Sequence, residues 1–272
     1  MRTLEIAGGS PVPQVKGEGM KKVFVLVMLG AAGIAMAQTA APSTKPSRAA
    51  KQDPTVAAVK VGDNGDPNPA FMKRHEQYVA RAKQGDVGVL FLGDSITQGW
   101  EHAKKVWDSA FGEMKPANFG IGGDRTQHVL WRIENGELEG IKPKVAVIMI
   151  GTNNLSSDPW EKIAEGIEKI VHETHEKTGA KVLLLGIFPR GANPADPGVK
   201  GVREKIAQIN ERISKLDDGG KTIKYMDIKA RFLEPDATIA KTIMPDFLHL
   251  SEEGYQRWAD AVKPEIEEMM KG

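Results

Sequence analysis

Apolar runs alternate with amphipathic segments along residues 67–272 of the chain. The apolar runs predict five strands, at 87–93, 117–120, 145–151, 181–190 and 221–228. The runs at 87–93 and 145–151 contain no polar residue, which is typical of strands buried on both faces of a parallel sheet. Between the runs, apolar residues recur at helical spacing and predict helices at 68–84, 127–136, 159–179, 202–216 and 251–270. The alternation predicts an α/β fold, a doubly wound parallel sheet covered by helices on both faces as a three-layer α/β/α sandwich.

The first 66 residues lack this alternation, and we expect them to lie outside the folded domain. Residues 20–37 begin with Met20 and two lysines, continue in an apolar run and end in small residues, which is the pattern of a secretory signal peptide. The apolar run is shorter than the ~20 residues that span a bilayer, and a retained N-terminal anchor or a buried helix is the alternative. We expect Met20 to be the true start and residues 1–19 to be an extension from start-site annotation. Cleavage near Ala37 is expected to export the protein, without a membrane anchor, to the periplasm or the medium.

Residues 38–66 predict a flexible linker, because they are rich in Ala, Pro, Ser, Thr and Lys and bury too little apolar surface to offset the entropy of ordering. One folded domain is then predicted to span 67–272. The whole chain carries a net charge of +1, which gives no basic field for nucleic acid. It has no cysteine, so disulfides, thiolate nucleophiles and cysteine-ligated metals are excluded.

A serine, Ser95, follows the end of the first predicted strand, in the stretch FLGDSITQGW (91–100). The turn GIGGDR follows the second strand, and GTNN follows the third. If the strand order is 2-1-3-4-5, these loops are neighbours at the carboxyl edge of the sheet, where doubly wound folds bind their ligands. Ser95 is therefore a candidate nucleophile, provided that a base removes its proton.

His249 is the candidate base among the six histidines. It lies in the loop MPDFLHLSEEGY before the last helix, three residues after Asp246. The carboxylate can accept one imidazole N–H and leave the other ring nitrogen for Ser95, whereas a loop with a capping aspartate is the alternative. His172 and His175 lie three residues apart in a charged helix, which is not the spacing of a helical zinc site.

Acyl transfer also needs hydrogen-bond donors for the negative oxygen of its intermediate. The candidates are the backbone N–H of Ser95, the backbone N–H of Gly123 and the side-chain amide of Asn153, one from each loop. The alternatives are that Gly122 and Gly123 only form a turn and that Asn153 caps the next helix. The turn does not fit the dinucleotide-binding pattern, because Arg125 occupies the position of its last glycine.

Four blocks, GDS, GIGGD, GTNN and DFLH, resemble in order those of the SGNH (GDSL-type) hydrolase family, from the first strand to the last helix. Within that family, NFGIGGDRTQHVLWRIENGELEGIKPKVAVIMIGTNN is similar to the catalytic subunits of platelet-activating-factor acetylhydrolase type I. The resemblance implies a flavodoxin-like sheet and neither a metal nor an organic cofactor. It implies Ser95 as nucleophile, His249 as general base and Asp246 as the acid that orients it. Ser95, Gly123 and Asn153 would form the oxyanion hole.

We expect an exported serine esterase that hydrolyses short-chain acyl esters, acetyl esters above all, on a carbohydrate. Trp100, Trp131 and Arg190 are candidates for a sugar site, with core packing or a surface position as the alternative. A lipid or phospholipid acetylhydrolase or lysophospholipase is the alternative substrate class, and peptidase or thioesterase action is another. A non-catalytic module that binds a carbohydrate or an anion is the alternative of a different class. The related branch forms dimers, which suggests a homodimer.

Overall fold

The computed structural model describes residues 51–271, which form a five-stranded sheet and seven α-helices. The strands are β1 (Val89–Gly93), β2 (Pro116–Gly120), β3 (Val145–Met149), β4 (Lys181–Leu185) and β5 (Ile223–Met226). The helices are α1 (Pro69–Lys83), α2 (Ser95–Gln98), α3 (Lys104–Phe111), α4 (Thr126–Glu134), α5 (Trp160–Thr178), α6 (Pro197–Ser214) and α7 (Glu252–Lys271). None of the helices within 51–271 is long and apolar enough to cross a bilayer. The predicted signal peptide lies outside the described residues.

All five strands run parallel, and their order across the sheet is β2-β1-β3-β4-β5. This confirms the predicted doubly wound sheet and its order 2-1-3-4-5. The first three strands end level with one another, because Gly93 of β1 pairs with Gly120 of β2 and with Met149 of β3. The loops that leave these strands therefore begin side by side, with the GDS loop between the other two.

Alternate residues of each strand enter two cores, one on each face of the sheet. In β1, Leu90 and Leu92 pack with the core formed by α1, α4, α5 and α6, whereas Val89 and Phe91 pack with α3 and α7. Every residue of β1 and β3 is buried, which explains why their sequences contain no polar residue. Close packing on both faces fixes the positions of the strand ends.

The fourth strand ends at Leu185, earlier than the apolar run predicts. The side chain of Asn210 in α6 accepts a hydrogen bond from Ile187 N–H at 2.8 Å and donates one to the Ile187 carbonyl at 3.0 Å. These side-chain bonds replace the ladder, so the chain leaves the sheet although Ile187 and Phe188 remain buried. Burial without strand pairing produces the same apolar pattern as a longer strand.

Residues 51–61, which we call the N-terminal strap, lie against the domain. The carbonyl of Pro54 accepts a hydrogen bond from Thr126 Oγ1 at 2.7 Å. The N–H of Ala58 donates to the carbonyl of Gln127 at 3.0 Å. The strap is therefore attached to the amino-terminal end of α4, directly after the glycine turn.

Described residues contact the domain ahead of the boundary that the sequence predicts near Pro67. Residues 51–66 are the part of the predicted linker that the structure describes, and residues 38–50 lie outside the described range. Composition does not indicate these contacts, because main-chain groups of the strap such as the Pro54 carbonyl and the Ala58 N–H make several of them.

The two ends of the described chain lie at opposite ends of the parallel strands. Lys51 Nζ is 3.3 Å from Oδ1 of Asp158, which follows the carboxyl end of β3. At the other end, the carbonyl of Met270 in α7 accepts a hydrogen bond from Lys144 Nζ at 3.0 Å, just before β3 begins. The strap thus starts at the carboxyl ends of the strands, where the three motif loops lie, and α7 ends at their amino ends.

Candidate active site

Ser95 is the first residue of α2, which begins almost directly after β1. Gly93 ends the strand at a point where a side chain would clash with Thr97. Asp94 then caps the helix, since its Oδ1 accepts a hydrogen bond from Ile96 N–H at 2.9 Å. The first N–H groups of a helix have no acceptor within it. The turn therefore presents the hydroxyl and the N–H of Ser95 together at the carboxyl edge of the sheet.

His249 lies against Ser95 although 154 residues separate them, and its Nε2 is 2.9 Å from Ser95 Oγ. On the other side of the ring, Nδ1 is 2.7 Å from Oδ2 of Asp246. With Nδ1 protonated and donating to the carboxylate, Nε2 is the nitrogen that can accept the hydroxyl proton. The side chains of His249 and Asp246 are 44% and 55% exposed, so the site is open to solvent. The structure brings together all three residues that the sequence predicts.

Contacts before and after His249 fix the loop that carries it. Phe247 has a φ of 60°, a left-handed conformation that is strained for a bulky residue and that turns Asp246 back toward the histidine. The carboxylate of Asp246 also accepts the N–H of His249 at 2.7 Å. Beyond the loop, the hydroxyl of Tyr255 in α7 donates to the carbonyl of Ile96 at 2.7 Å. This last bond connects α7 directly to α2.

The glycine turn after β2 packs against Ser95. A Cβ atom built at Gly122 would lie 3.9 Å from the Cβ of Ser95. The N–H of Gly122 donates to Oε1 of Gln98 at 2.7 Å, which fixes the turn to α2. Gly123 has a φ of 71°, in the left-handed region that favours glycine. Its N–H donates to no acceptor within residues 51–271 and is free for a ligand.

Asn153 lies in a single 3-10 turn, Thr152–Asn154, that follows β3. Its Nδ2 donates to the carbonyl of Asp124 at 2.9 Å and so connects the third loop to the glycine turn. A carboxamide nitrogen carries two hydrogens, so a second N–H remains for a ligand. The three donors predicted from the sequence therefore come from three adjoining loops.

A buried arginine lies beneath these loops. Arg132 donates to the carbonyl of Gly93 at 3.1 Å and to that of Phe119 at 3.0 Å, which joins the ends of β1 and β2. It also donates to Oε2 of Glu137 at 2.6 Å, and its Nε lies 2.9 Å from Oδ2 of Asp124 without the alignment of a hydrogen bond. All three charged side chains are fully buried. Sequence reasoning missed this cluster, because charged residues beside a helical pattern normally indicate a solvated face.

Three carboxyl groups at the site have shifted pKa values. Burial raises the pKa of Asp94 to about 6. Burial also raises the pKa of Asp124, although neighbouring cations oppose it. Partial burial alone would raise the pKa of Asp246, but hydrogen bonds from His249 and from the backbone hold it below its ordinary value. Asp246 is therefore ionised at neutral pH, as a partner for an imidazolium must be.

Three other histidines make structural contacts. The ring nitrogens pair as follows: His75 Nδ1 with Glu137 Oε1 at 3.1 Å, His128 Nε2 with Gln52 Oε1 at 3.0 Å and His175 Nδ1 with the carbonyl of Ala180 at 2.8 Å. Burial lowers the pKa of His128 to about 3. Within the described part of the chain, no three His, Asp or Glu side chains are grouped as metal ligands.

Two of the three residues considered for a sugar site lie elsewhere. Trp100 is 1% exposed and packs in the core beside α3 and α7. Trp131 packs against Phe71 and His75, with ring centroids 5.6 Å and 4.9 Å apart, in the core on the other face. Both tryptophans therefore pack with the cores, the alternative to a sugar-site role. Arg190 does lie near it, since its Nη1 is 3.3 Å from Oγ1 of Thr152, the residue before Asn153.

Known proteins share the sequence and the fold around this site. The profile of the GDSL-like lipase/acylhydrolase family matches residues 91–257. The chain is 41% identical over 186 residues to the platelet-activating factor acetylhydrolase IB subunit alpha1 of Homo sapiens, a match that covers 68% of this chain and 78% of the human one. It is 38% identical over 208 residues to the alpha2 subunit of Rattus norvegicus, which covers 71% and 88% of the two chains.

Solved structures share the fold at lower sequence identity. A GDSL-like lipase from Bacteroides thetaiotaomicron superposes with a TM-score of 0.58 at 21% identity, over 73% of this chain and 97% of that one. An acetylxylan esterase from Geobacillus stearothermophilus, in a catalytic mutant form, gives a TM-score of 0.52 at 19% identity, over 65% and 93%. At such identities the likeness is one of fold.

Proposed function

Since the chain belongs to the GDSL-like lipase/acylhydrolase family and is a carboxylic ester hydrolase, we propose that Ser95, His249 and Asp246 form its catalytic triad. The observation that carries this proposal is the 2.9 Å contact between Ser95 Oγ and His249 Nε2. It is supported by the 2.7 Å contact between the opposite ring nitrogen and Asp246. A serine hydroxyl becomes a competent nucleophile only when such a base takes its proton.

In the first half of the reaction, Ser95 Oγ attacks the ester carbonyl carbon while His249 Nε2 takes the hydroxyl proton. The imidazolium that forms is stabilised by the ionised Asp246. The negative carbonyl oxygen accepts hydrogen bonds from the N–H of Ser95, the N–H of Gly123 and Nδ2 of Asn153. The intermediate then collapses, and the alcohol leaves with the proton from His249. Ser95 is left as an acyl ester.

In the second half, water replaces the alcohol. His249 removes a proton from the water as its oxygen attacks the acyl carbon, and the same three donors bind the oxyanion again. Collapse returns the proton to Ser95 Oγ and releases the carboxylic acid. The solvent exposure of the histidine supports this step, because water reaches the ring without a conformational change.

The acyl group in this proposal is acetyl. The human relative is named as an acetylhydrolase subunit and one structural neighbour as an acetylxylan esterase, and the acetyl group is what these names share. We propose an acetylated carbohydrate as the substrate, which fits an enzyme that residues 20–37 direct out of the cell. An acetylated phospholipid is the second candidate, favoured by the 41% identity with the human subunit.

A substrate panel with wild type and Ser95→Ala tests the proposal. It includes p-nitrophenyl acetate, butyrate and octanoate, an acetylated xylo-oligosaccharide, and a phosphocholine lipid with a 2-acetyl group. We expect hydrolysis that depends on Ser95, falls with acyl length and is fastest on the acetylated sugar. Faster release from the phospholipid would select the second candidate. Equal background rates for the two proteins would refute the triad and favour a binding module.

Export is tested separately. Amino-terminal sequencing of protein recovered outside the cytoplasm is expected to find Gln38 first, the residue after Ala37. A mature chain that begins at Arg2, or protein that stays in the cytoplasm, would contradict the export proposal and leave the triad untouched.

A further inference from the structure

Lys60, at the end of the N-terminal strap, reaches the glycine turn of the site. Its Nζ is 2.5 Å from the carbonyl oxygen of Gly122 and 3.8 Å from Oδ1 of Asp124. A Cβ atom built at Gly123 would lie 2.9 Å from the same nitrogen. The side chain is only 22% exposed, so the ammonium group is largely removed from water. Such a charge-assisted hydrogen bond is stronger than one between neutral groups.

The carbonyl of Gly122 and the N–H of Gly123 belong to one planar peptide group. In a trans peptide the oxygen and the hydrogen point in opposite directions, so a cation on the carbonyl lies behind the N–H that faces the ligand. A donor bound to the carbonyl polarises the group and makes its N–H a stronger donor. It also fixes the rotation of the peptide plane, which the two flexible glycines alone would leave free.

We propose that Lys60 is a positioning residue for the oxyanion hole: it holds and polarises the Gly122–Gly123 peptide, whose N–H binds the developing negative charge. This inference rests on the proposed ester hydrolysis. It assigns a functional role to a strap that composition indicates to be a linker. Lys60 acts through the peptide group and does not touch the reacting atoms.

The surroundings of Lys60 supply a pH readout. The charged and titratable groups around it are Asp124, the guanidinium groups of Arg125 and Arg132, and the imidazole of His128. Burial lowers the pKa of Lys60 below its ordinary value, and the charge of Asp124 only partly offsets that effect. When the ammonium group loses its proton at alkaline pH, the charge behind the peptide disappears. The rate of the chemical step is then expected to fall.

The matched control for Lys60 is Lys169, which binds the same strap at a different point. Lys169 Nζ donates to the carbonyl of Thr55 at 3.0 Å, five residues before Lys60 in the strap. Lys169→Met therefore removes one lysine contact of the strap and leaves the Gly122–Gly123 peptide alone. Lys60→Met removes the charge at nearly constant length, and Lys60→Arg retains it.

The experiment measures kcat and KM for p-nitrophenyl acetate, from neutral to alkaline pH and corrected for spontaneous hydrolysis. For Lys60→Met we expect kcat to fall about tenfold while KM stays within about twofold. The reason is that the peptide whose N–H binds the oxyanion loses one charged hydrogen bond, at the Gly122 carbonyl. Lys60→Arg is expected to recover most of the rate, and Lys169→Met to match wild type. The alkaline decrease of wild type should vanish in Lys60→Met and move to higher pH in Lys60→Arg.

Three results would overturn the inference: an unchanged kcat in Lys60→Met, an equal loss in Lys169→Met, or an alkaline decrease that stays in place in Lys60→Arg. If Lys60→Met does not fold, the Lys60→Arg profile still decides. Absence of any hydrolysis that depends on Ser95 in wild type is a separate outcome, which refutes the proposed function and this inference with it.

Discussion

Two adjacent asparagines offer a direct test of the oxyanion hole, because one faces the site and the other is buried. Within residues 51–271, the side chain of Asn153 makes a single hydrogen bond, to the carbonyl of Asp124. Asn154 is fully buried and makes three, which link it to Thr126 N–H at 3.0 Å, Gln127 Oε1 at 3.1 Å and Asp158 Oδ2 at 3.0 Å. Replacing each with alanine separates a catalytic donor from a structural one.

The expected effects differ in kind. Loss of one oxyanion donor costs about 2.7–4 kcal/mol of transition-state stabilisation, so Asn153→Ala should lower kcat by about 100- to 1000-fold. Its free energy of unfolding should fall by only about 1 kcal/mol, the typical value of one hydrogen bond. Asn154→Ala removes three buried hydrogen bonds and leaves the Thr126 N–H without a partner. At about 1 kcal/mol for each of the other two bonds and about 1–3 kcal/mol for the unpaired N–H, its free energy of unfolding should fall by about 3 kcal/mol or more. Its kcat in the folded state should change less than about tenfold.

Both variants are compared with wild type in two assays at one pH. Steady-state hydrolysis of p-nitrophenyl acetate gives kcat, with Ser95→Ala as the background. Urea unfolding followed by tryptophan fluorescence gives the free energy of unfolding. A loss of less than about tenfold in Asn153→Ala would remove this residue from the oxyanion hole. An equal loss of kcat in both variants would show that the loop conformation, rather than the amide donor, controls the rate.

Three further changes probe the surroundings of the site. Asp246→Asn should lower kcat by up to about 10⁴-fold, because the amide cannot stabilise the imidazolium. The free energy of unfolding should change by less than about 1 kcal/mol, because the Asp246–His249 pair is half exposed. An unchanged kcat would exclude Asp246 from the triad. Arg132→Met should lower the free energy of unfolding by about 3–5 kcal/mol, since it removes the guanidinium that neutralises two buried carboxylates. A loss below about 1 kcal/mol in urea unfolding would refute this reasoning. Burial raises the folded-state pKa of Asp94 from 3.8 to about 6, so the stability it contributes is fully present below pH 3.8 and is lost as the pH rises through about 6. Asp94→Asn keeps the oxygen that caps α2 but cannot ionise. The free energy of unfolding of this variant, relative to that of wild type, should therefore rise by up to about 3 kcal/mol between pH 4 and pH 7.5. A difference that does not change with pH would contradict the shifted pKa.

The sheet and the proposed triad could be predicted because each leaves a strong local signal. Buried parallel strands require uninterrupted apolar runs, and those of β1 and β3 are unmistakable. Ser95 directly follows such a run, and Asp246 lies within one turn of His249, so the chemistry is concentrated in short motifs. Only the contact across 154 residues needed the fold, in which Tyr255 of α7 binds Ile96 of α2 and the loop before α7 reaches Ser95.

What the sequence did not predict depends on side chains that bind the backbone. Lys60 lies in a segment with linker composition, and its partner is a carbonyl group, which every residue has. Asn210 ends β4 in the same manner, by binding Ile187 from another helix. Such contacts leave no periodicity and no motif, because the recognised group is independent of residue type. They become visible only when the distant segments are placed side by side.

The two ends of the described part of the chain lie at opposite ends of the strands, and this placement determines how the protein is best attached to a carrier. A tag, a second domain or a solid support joined after α7 starts beside Lys144, with the whole sheet between it and Ser95. The same addition joined directly ahead of the strap starts beside Asp158, at the carboxyl ends of the strands, where Ser95 also lies. Immobilisation through the carboxyl end should therefore preserve access for bulky polymeric substrates, whereas attachment at the strap should obstruct them while sparing small esters.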